Sequence, residues 1–191
     1  KIMLKLDITR AFDTVQWPFL LEVMRTMGFG ARWIEWVCGL LATSSTRVMV
    51  NGYPGKPIYN AWGMRQGAPL SPMLFILAME PLHNMFQLAA SRALLTPLAR
   101  AGMQQQLSLF ADDVMLFIKP IEADLCTSPW ILQCFGEASG LRVNLTKSTT
   151  LPIICTTTDM ERVEQFLGYP TGTYPCKYLG LSLSIRKQTS A

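Results

Sequence analysis

Apolar side chains recur along the chain with two spacings, one typical of helices and one typical of strands. The helical spacing predicts helices over residues 17–27, 32–41, 73–90, 128–139 and 159–167. The strand spacing predicts strands over residues 1–6, 151–155 and 177–184. It also predicts a hairpin of residues 47–50 and 58–62 around Asn51-Gly52, and a second hairpin around Asp112-Asp113. Ser71 as an N-cap and Pro72 at the first helical position are expected to open the longest helix.

These elements follow one another irregularly, without the strict strand–helix–strand order of a doubly wound sheet. The pattern predicts an α+β fold in which a mostly antiparallel sheet packs on helices. Neither an internal repeat nor a linker-like segment interrupts the 191 residues. Residues 1–191 are therefore expected to form a single domain or a fragment of one.

The composition is unusually apolar. Hydrophobic residues make up 50% of the chain and charged residues 16%, against about 25% charged residues in soluble domains. Such a surplus is expected of a piece of a larger protein, and Lys1 begins a strand already in progress. No run approaches the roughly 18 apolar residues of a membrane span, so no membrane segment is expected. Trp33, Trp36 and Trp62 are interpreted as core residues rather than as base-stacking platforms, with exposure in a fragment that lacks its neighbours as the alternative.

The net charge of +4 permits a nucleic-acid partner without requiring one. The five cysteines are odd in number and at least eight residues apart, which argues against a zinc knuckle or a disulfide framework. Buried, reduced thiols and the lack of a visible signal peptide predict an intracellular protein, with nucleus and cytoplasm both open.

The stretch SLFADDVMLF, residues 108–117, places two adjacent aspartates between two apolar, strand-like runs. One interpretation is a hairpin with Ala-Asp-Asp at its tip, although the tip has none of the usual glycine-containing turn sequences. The other is a metal site, because a divalent cation would relieve the repulsion between neighbouring carboxylates. The stretch alone leaves both interpretations open.

Asp7 supplies a further carboxylate at the end of the first predicted strand. If that strand lies beside the hairpin, Asp7, Asp112 and Asp113 converge on one point and offer the hard oxygen ligands that Mg²⁺ prefers. Two such ions about 4 Å apart can activate an attacking hydroxyl and stabilise a leaving oxygen in phosphoryl transfer. Asp13 is a rival ligand, but its place before a helix is more typical of an N-cap or a salt-bridge partner.

Five motifs, in order along the chain, resemble the palm region of reverse transcriptases. They are LDITRAFD, RQGAPLSPMLF, FADD, SGLRVNLTKS and YLGLSLS, and they match motifs A to E of that family. The resemblance is strongest to the non-LTR, LINE-type retrotransposons and, within these, to plant-type elements. It covers nearly the whole chain and implies a partial reverse transcriptase palm, with the fingers and thumb segments largely missing.

The resemblance implies a site for two Mg²⁺ ions, with Mn²⁺ as a substitute. Asp7, Asp112 and Asp113 match the catalytic metal ligands of the family. Lys147 matches the lysine proposed to protonate the departing pyrophosphate, although a surface lysine is an equal interpretation. Phe12 matches the aromatic residue that excludes a ribose 2′-hydroxyl, with an ordinary core phenylalanine as the alternative.

Two further segments match parts of the family that contact substrates. Gln66 and Gly67 match the loop that contacts the nucleotide and the template base, and Arg65 would add a phosphate contact. The segment matched to the primer end contains Tyr178, Leu179 and Gly180. For Gln66 and Gly67 the alternative is a plain turn before a helix, and for Arg65 it is a solvated side chain. For Tyr178, Leu179 and Gly180 the alternative is a set of routine strand residues.

The function implied by the resemblance is that of an RNA-directed DNA polymerase, which joins a primer 3′-hydroxyl to the α-phosphate of a deoxynucleotide. The implied partners are an RNA template, a DNA primer and deoxynucleoside triphosphates. One alternative is a catalytically silent retroelement remnant with at most nonspecific nucleic-acid binding. Another is a metal-dependent phosphodiesterase, which the lack of a His or Lys general-base cluster around the carboxylates disfavours.

Two departures from the family pattern bear on activity. Ala68 stands where many members carry an acidic or small polar residue. The basic fingers segments that bind the triphosphate have no counterpart before Lys1, and nothing resembling a thumb follows Ala191. The isolated chain is therefore expected to have little or no polymerase activity.

Overall fold

A computed structural model describes residues 1–98 and 106–185 of the chain. Contacts divide the chain into two compact units. Apart from the residues not described, the first unit contains Lys1–Ile8, His83–Gln133 and Val143–Ala191, and the second contains Thr9–Leu82 and Cys134–Arg142. That both units belong to a single domain stays a prediction.

Helices and antiparallel strand pairs are both present among the described residues. The helices are α1 (Ala11–Thr14), α2 (Trp17–Thr26), α3 (Ala31–Ala42), α4 (Ser71–Ser91), α5 (Glu122–Ser139) and α6 (Thr157–Leu167). The strands are β1 (Ile2–Asp7), β2 (Ser45–Thr46), β3 (Met49–Val50), β4 (Tyr53–Pro54), β5 (Ile58–Tyr59), β6 (Leu107–Phe110), β7 (Asp113–Ile118), β8 (Thr149–Pro152), β9 (Cys176–Tyr178) and β10 (Leu181–Leu183). This mixture confirms the predicted α+β class.

A four-stranded antiparallel sheet lies in the first unit, with the strand order β6-β7-β1-β8. Leu4 of β1 lies opposite Leu116 of β7 on one side and opposite Thr150 of β8 on the other. One face of β1 is formed by Ile2, Leu4 and Leu6, each at most 1% exposed. This burial specifies the register, because a slip of one residue would turn the whole apolar set to the other face.

The opposite face of the sheet carries an apolar cluster built on Met3, Met115 and Leu151, named here the Met3 cluster. Its partly buried members are Phe117, Ile153, Tyr174, Cys176, Tyr178 and Leu183. Three of these side chains belong to β9 and β10, so this strand pair packs on the sheet. Burial raises the pKa of Tyr174, and the thiols of Cys176 and Cys155 act in the same direction.

β9 and β10 form a hairpin, so the prediction of one strand over 177–184 is wrong. Tyr178 pairs with Leu181, which leaves Leu179 and Gly180 as a two-residue turn. Both turn residues have positive φ angles, 50° and 78°, as a type I′ turn requires. Leucine rarely adopts this conformation because its Cβ crowds the backbone. The Leu-Gly pair is therefore not one of the dipeptides that usually signal a type I′ turn.

α5 begins at Glu122, earlier than predicted, and continues through Pro129. The Ser-Pro pair at the predicted start resembles a helix N-terminus, which explains the error. Asp124 fixes the true first turn, because it is fully buried and accepts hydrogen bonds from two main-chain N–H groups. These donors are Thr96, at 2.9 Å, and Lys119, at 3.1 Å.

In the second unit, α2 packs against α3. The buried side chains of α3 are Ile34, Val37 and Leu41. These residues, at positions i, i+3 and i+7, form the buried face of α3. Trp33 and Trp36 lie outside that face, and their side chains are 41% and 54% exposed. Trp62 is 63% exposed. The interpretation of these three tryptophans as core residues is therefore wrong.

Residues 45–59 of the second unit form a ribbon of two short strand pairs, β2 with β5 and β3 with β4. The turn between β3 and β4 is Asn51-Gly52, and both residues have positive φ angles. This geometry confirms the turn that the Asn-Gly pair predicts. The expected second arm near residues 58–62 is wrong as the partner of β3, because β3 pairs with β4, while β5 pairs with β2.

Details at two element ends differ from expectation. Ser71 is the first residue of α4 rather than the residue before it, and its hydroxyl donates to the Arg65 carbonyl at 2.7 Å. The strand expected over 151–155 is β8, which begins at Thr149 because it follows the register of β1.

The five cysteines are free, and Cys38 and Cys126 are exposed rather than buried as predicted. Among the helices of the described residues, none combines the length and the apolar character that crossing a bilayer needs.

Asp124→Ala is expected to lower the free energy of unfolding by about 3 kcal/mol, because two main-chain N–H groups lose a charged acceptor. Urea denaturation followed by circular dichroism measures this change. Glu122→Ala is the matched control, since Glu122 is an exposed carboxylate in the same helical turn and its loss should cost under about 1 kcal/mol. Equal losses in the two variants would contradict the role of Asp124.

Candidate active site

Asp7 and Asp113 face each other across two neighbouring strands of the first unit. Asp7 is the last residue of β1, Asp113 is the first residue of β7, and their Cα atoms are partners in the register. Side chains directly opposite each other have Cβ atoms about 4.5–5.5 Å apart. Both residues are half-buried. Two like charges are thus held side by side on one face of the sheet.

Asp112 adjoins this pair in the turn between β6 and β7. Phe110 pairs with Asp113, which leaves Ala111 and Asp112 as a two-residue turn. Ala111 has a φ angle of 52°, a left-handed conformation that costs a non-glycine residue about 1 kcal/mol. Asp112 is exposed. The predicted hairpin is confirmed, with Asp113 in the strand rather than in the turn.

The chemistry of these carboxylates suits a hard divalent cation. Mg²⁺ is bound through one or two carboxylates, with water and substrate phosphates as its other ligands, and Asp7 with Asp113 supplies such a pair. A cation would also offset the repulsion between directly opposed like charges. Among the described residues, no group of three or more His, Cys, Asp or Glu side chains is arranged to hold an ion. The set of three aspartate ligands therefore stays a prediction.

Residues 144–148 hold the main chain of Asp7 from the β8 side. The Asn144 N–H donates to the Asp7 carbonyl at 2.8 Å, and the Asp7 N–H donates to Ser148 Oγ at 3.1 Å. The hydroxyl of Ser148, a fully buried residue, donates in turn to the Asn144 carbonyl at 2.7 Å. These three hydrogen bonds form a closed ring, named here the Asp7 clamp.

Lys147 lies in the loop that the Asp7 clamp closes. Asn144 Oδ1 accepts hydrogen bonds from the main-chain N–H groups of Thr146, at 3.1 Å, and Lys147, at 3.3 Å, as in an Asx-turn. Lys147 is exposed, so a loop bonded to Asp7 presents a cation to solvent. Asn144 and Ser148 are site residues that were not predicted from the sequence, although an asparagine shortly before the lysine is a turn signal.

Phe12, in α1 of the second unit, stacks on Phe75 of α4. The ring centroids are 4.7 Å apart and the ring planes are inclined by 22°. Phe75 is only 1% exposed, whereas Phe12 is half-buried. One face of the Phe12 ring therefore rests on a fixed neighbour, which limits its rotamers.

Arg65, Gln66 and Gly67 are all exposed in the loop before α4. Gln66 Nε2 donates to Asp13 Oδ1 at 2.9 Å, so the amide is held by a carboxylate within α1. The N-cap of α2 is Gln16, so the interpretation of Asp13 as a helix N-cap is wrong. Gly67 has a φ angle of 83°, a conformation that favours glycine.

Gly63 fixes this loop against α1 and was not singled out by sequence. A Cβ atom at this position would lie 2.6 Å from the Asp13 carbonyl oxygen, and its φ angle is 77°. The Gly63 carbonyl accepts a hydrogen bond from Trp17 Nε1 at 2.6 Å, and its N–H donates to the Val15 carbonyl at 2.8 Å. Only glycine fits such an approach.

The segment matched to the primer end occupies the β9–β10 hairpin. Tyr178 is half-buried in the Met3 cluster. Leu179 is 42% exposed in the turn, and Gly180 beside it is exposed as well. The hairpin thus presents its turn residues to solvent while Tyr178 anchors it.

The candidate residues fall into two groups, one in each unit. The first unit contains Asp7, Asp112, Asp113, Lys147, Tyr178, Leu179 and Gly180. The second unit contains Phe12, Arg65, Gln66 and Gly67. The catalytic and primer-end roles of the first group and the nucleotide-contacting role of the second stay predictions.

A family model described as "Reverse transcriptase (RNA-dependent DNA polymerase)" matches residues 1–183. This range includes every candidate site residue. The chain therefore belongs to the reverse transcriptase family, whose members are RNA-directed DNA polymerases.

Three relatives indicate which branch of the family the chain resembles. It is 32% identical over 150 residues to the Transposon TX1 uncharacterized 149 kDa protein of Xenopus laevis, which covers 78% of this chain and 11% of that protein. It is 28% identical over 149 residues to a Retrovirus-related Pol polyprotein from type-1 retrotransposable element R2 of Popillia japonica, covering 78% and 24%. The corresponding R2 polyprotein of Nasonia vitripennis is also 28% identical over 149 residues, covering 78% and 14%.

These relatives support a non-LTR reverse transcriptase. The chain spans only 11% to 24% of their lengths. None of the three comes from a plant, so the plant-type subdivision gains no support from them and stays a prediction.

Ser148→Ala is expected to lower the free energy of unfolding by about 1–2 kcal/mol, because the Asp7 N–H and the Asn144 carbonyl both lose a buried partner. Hydrogen exchange of the Asp7 amide should accelerate in parallel. Leu145→Ala is the control, since Leu145 lies in the same loop, is exposed and has no hydroxyl that could bond to Asn144; its cost should stay below about 0.5 kcal/mol. An unchanged Asp7 amide in Ser148→Ala would disprove the clamp.

Proposed function

We propose that this chain forms the polymerising palm of a retrotransposon reverse transcriptase, which extends a DNA primer on an RNA template. The observation that carries the proposal is the strand register that sets Asp7 opposite Asp113, with Asp112 in the adjoining turn. Family membership supports the reaction class. The paired carboxylates supply a place where that reaction can occur.

Asp7, Asp112 and Asp113 are the proposed holders of two Mg²⁺ ions, for which Mn²⁺ can substitute. Such ions, when bound, favour the ionised primer hydroxyl and stabilise the leaving oxygen. A bond forms between the primer 3′-oxygen and the α-phosphorus, and the 3′-hydroxyl proton passes to solvent water. The bond from that phosphorus to the bridging oxygen breaks, and pyrophosphate leaves. Lys147 is the proposed donor of a proton to the pyrophosphate, on a loop that the Asp7 clamp holds.

The second unit is proposed to contact the incoming nucleotide. Phe12 would exclude the ribose 2′-hydroxyl sterically, and its stacking on Phe75 would keep the ring from moving aside. Arg65 would contact phosphate, while Gln66 and Gly67 would contact the nucleotide and the template base. Their exposure is consistent with these roles.

The β9–β10 hairpin is proposed to hold the primer end, through Tyr178, Leu179 and Gly180. Support comes from its packing on the same sheet face that carries the carboxylates. Met3 in the cluster and Asp7 have the same parity along β1, and alternate residues of a strand share a face.

Asp113→Asn tests the carboxylate pair on this chain alone. Without divalent ions the variant should be more stable than the wild type by about 0.5 kcal/mol, because it removes a repulsion between opposed charges. Millimolar Mg²⁺ should stabilise the wild type but not the variant. Urea denaturation with and without Mg²⁺ measures both effects, with Glu122→Gln as a control, because Glu122 is an exposed carboxylate beyond the opposite end of β7 from Asp113.

The same substitution tests polymerisation in a chimera, in which this chain replaces the matching segment of the Popillia japonica R2 polyprotein. The chimera should extend a primer, and Asp113→Asn should reduce extension by at least about 100-fold. Extension that persists in the variant would refute the metal assignment. A folded chimera without any extension would instead favour a silent remnant.

Phe12→Ala in the chimera is expected to raise the incorporation of ribonucleotides relative to deoxynucleotides by about 10- to 100-fold, because the wall against the 2′-hydroxyl is gone. Primer extension with each nucleotide class measures the ratio. Phe166→Ala, which removes a partly exposed ring on α6, should leave the ratio unchanged. A ratio insensitive to Phe12 would assign it to the core instead.

A further inference from the structure

Lys5 occupies the middle of the sheet face that carries both the Met3 cluster and the carboxylates. Met3, Lys5 and Asp7 are alternate residues of β1 and therefore share one face. Across the sheet, Lys5 lies opposite Met115 of β7 and Thr149 of β8. A cationic side chain thus separates an apolar row from the acidic pair.

The Lys5 side chain reaches the β9–β10 hairpin. Its Nζ donates to the main-chain carbonyl of Lys177 at 2.9 Å. Lys177 immediately precedes Tyr178, whose side chain packs in the Met3 cluster. The hairpin is therefore attached to the sheet by an apolar contact and, nearer to Asp7, by a charge-assisted hydrogen bond.

The geometry of the hairpin explains why this carbonyl is available. Tyr178 and Leu181 flank a two-residue turn, so they form a hydrogen-bonded pair, and Lys177 with Ser182 forms the next, non-hydrogen-bonded pair. In such a pair the main-chain groups point away from the partner strand. The Lys177 carbonyl therefore points out of the hairpin and needs another donor, which Lys5 supplies.

We infer that Lys5 is a positioning residue that holds the β9–β10 hairpin at a fixed distance from Asp7 and Asp113. The part that concerns the primer rests on the proposed function, whereas the attachment of the hairpin does not. A primer end must lie within about 3–3.5 Å of its reaction partner for efficient transfer, and a displacement near 1 Å can slow a reaction severely. A hairpin bonded to the strand that bears Asp7 keeps that distance constant.

The first arm of the test uses this chain as it is and measures hydrogen exchange of the amides in residues 176–183. Lys5→Met keeps an apolar stem but removes the donor, and exchange in the hairpin should become about tenfold faster. Lys5→Arg retains a donor and should restore protection. Lys177→Met is the matched control, because it removes an exposed lysine from the hairpin but leaves the carbonyl in place.

The amides of Leu4 and Leu116 report on the sheet and should exchange at the wild-type rate in all three variants. Faster exchange there would show general loosening and overturn the specific role of Lys5. Unchanged exchange in residues 176–183 of Lys5→Met would overturn the inference directly.

The second arm measures primer extension in the chimera. Lys5→Met should lower kcat about tenfold while the KM for the deoxynucleotide stays within about twofold, and Lys5→Arg should recover most of kcat. Loosened hairpin amides with a wild-type kcat would overturn the positioning role. If the wild-type chimera does not extend a primer, the proposed function fails, and the exchange arm alone decides whether Lys5 fixes the hairpin.

Discussion

The pairing of β1 with β7 is the constraint on which the rest of the first unit depends. Six residues of β1, from Ile2 to Asp7, each have a partner in β7. The even-numbered residues of β1 are buried almost completely. The hydrophobic effect therefore selects one register among those that hydrogen bonding alone would allow. The same register brings Asp7 opposite Asp113. One strand register therefore determines both the core packing and the position of the carboxylates.

Asp7 is restrained through its main chain, because the Asp7 clamp binds its N–H and carbonyl. β7 places a second carboxylate opposite it. Lys5 lies two residues earlier on the same face, and its Nζ is bonded to the Lys177 carbonyl. The clamp is made of main-chain and hydroxyl groups that carry no charge, so it fixes the backbone without neutralising the carboxylate. The negative charge of the pair is left for an incoming cation, which is what the proposed chemistry needs.

Sequence reasoning predicted those features that depend on periodicity and on strong local signals. The strand ending at Asp7, the Asn51-Gly52 turn and the helix over 17–27 follow from alternation and from glycine. Errors arose where tertiary contacts override local preference. Leu179 adopts a conformation that leucine disfavours, and the start of α5 depends on Asp124, which accepts from the N–H groups of Lys119 nearby and of Thr96 farther along the chain. Among the site residues, the Asp7–Asp113 pairing was predictable from two strand patterns that each end at a carboxylate. The clamp was not, because main-chain groups and a serine hydroxyl leave no periodic or charge pattern in the sequence.

Several features of the candidate site are unfavourable by themselves. Two carboxylates oppose each other, and the turns after β6 and β9 place Ala111 and Leu179 at positive φ angles, each at a cost of about 1 kcal/mol. Glycine at either turn would avoid that cost. Backbone strain of this kind is a reason to look for a function of the segment that carries it, and the two turns belong to segments proposed to hold the metal ions and the primer end. The Ala111 turn lies at the end of the buried four-stranded sheet, and the Leu179 turn belongs to the strand pair that packs on that sheet through the Met3 cluster. The apolar rows on both faces of β1 supply stability that offsets the cost of these conformations.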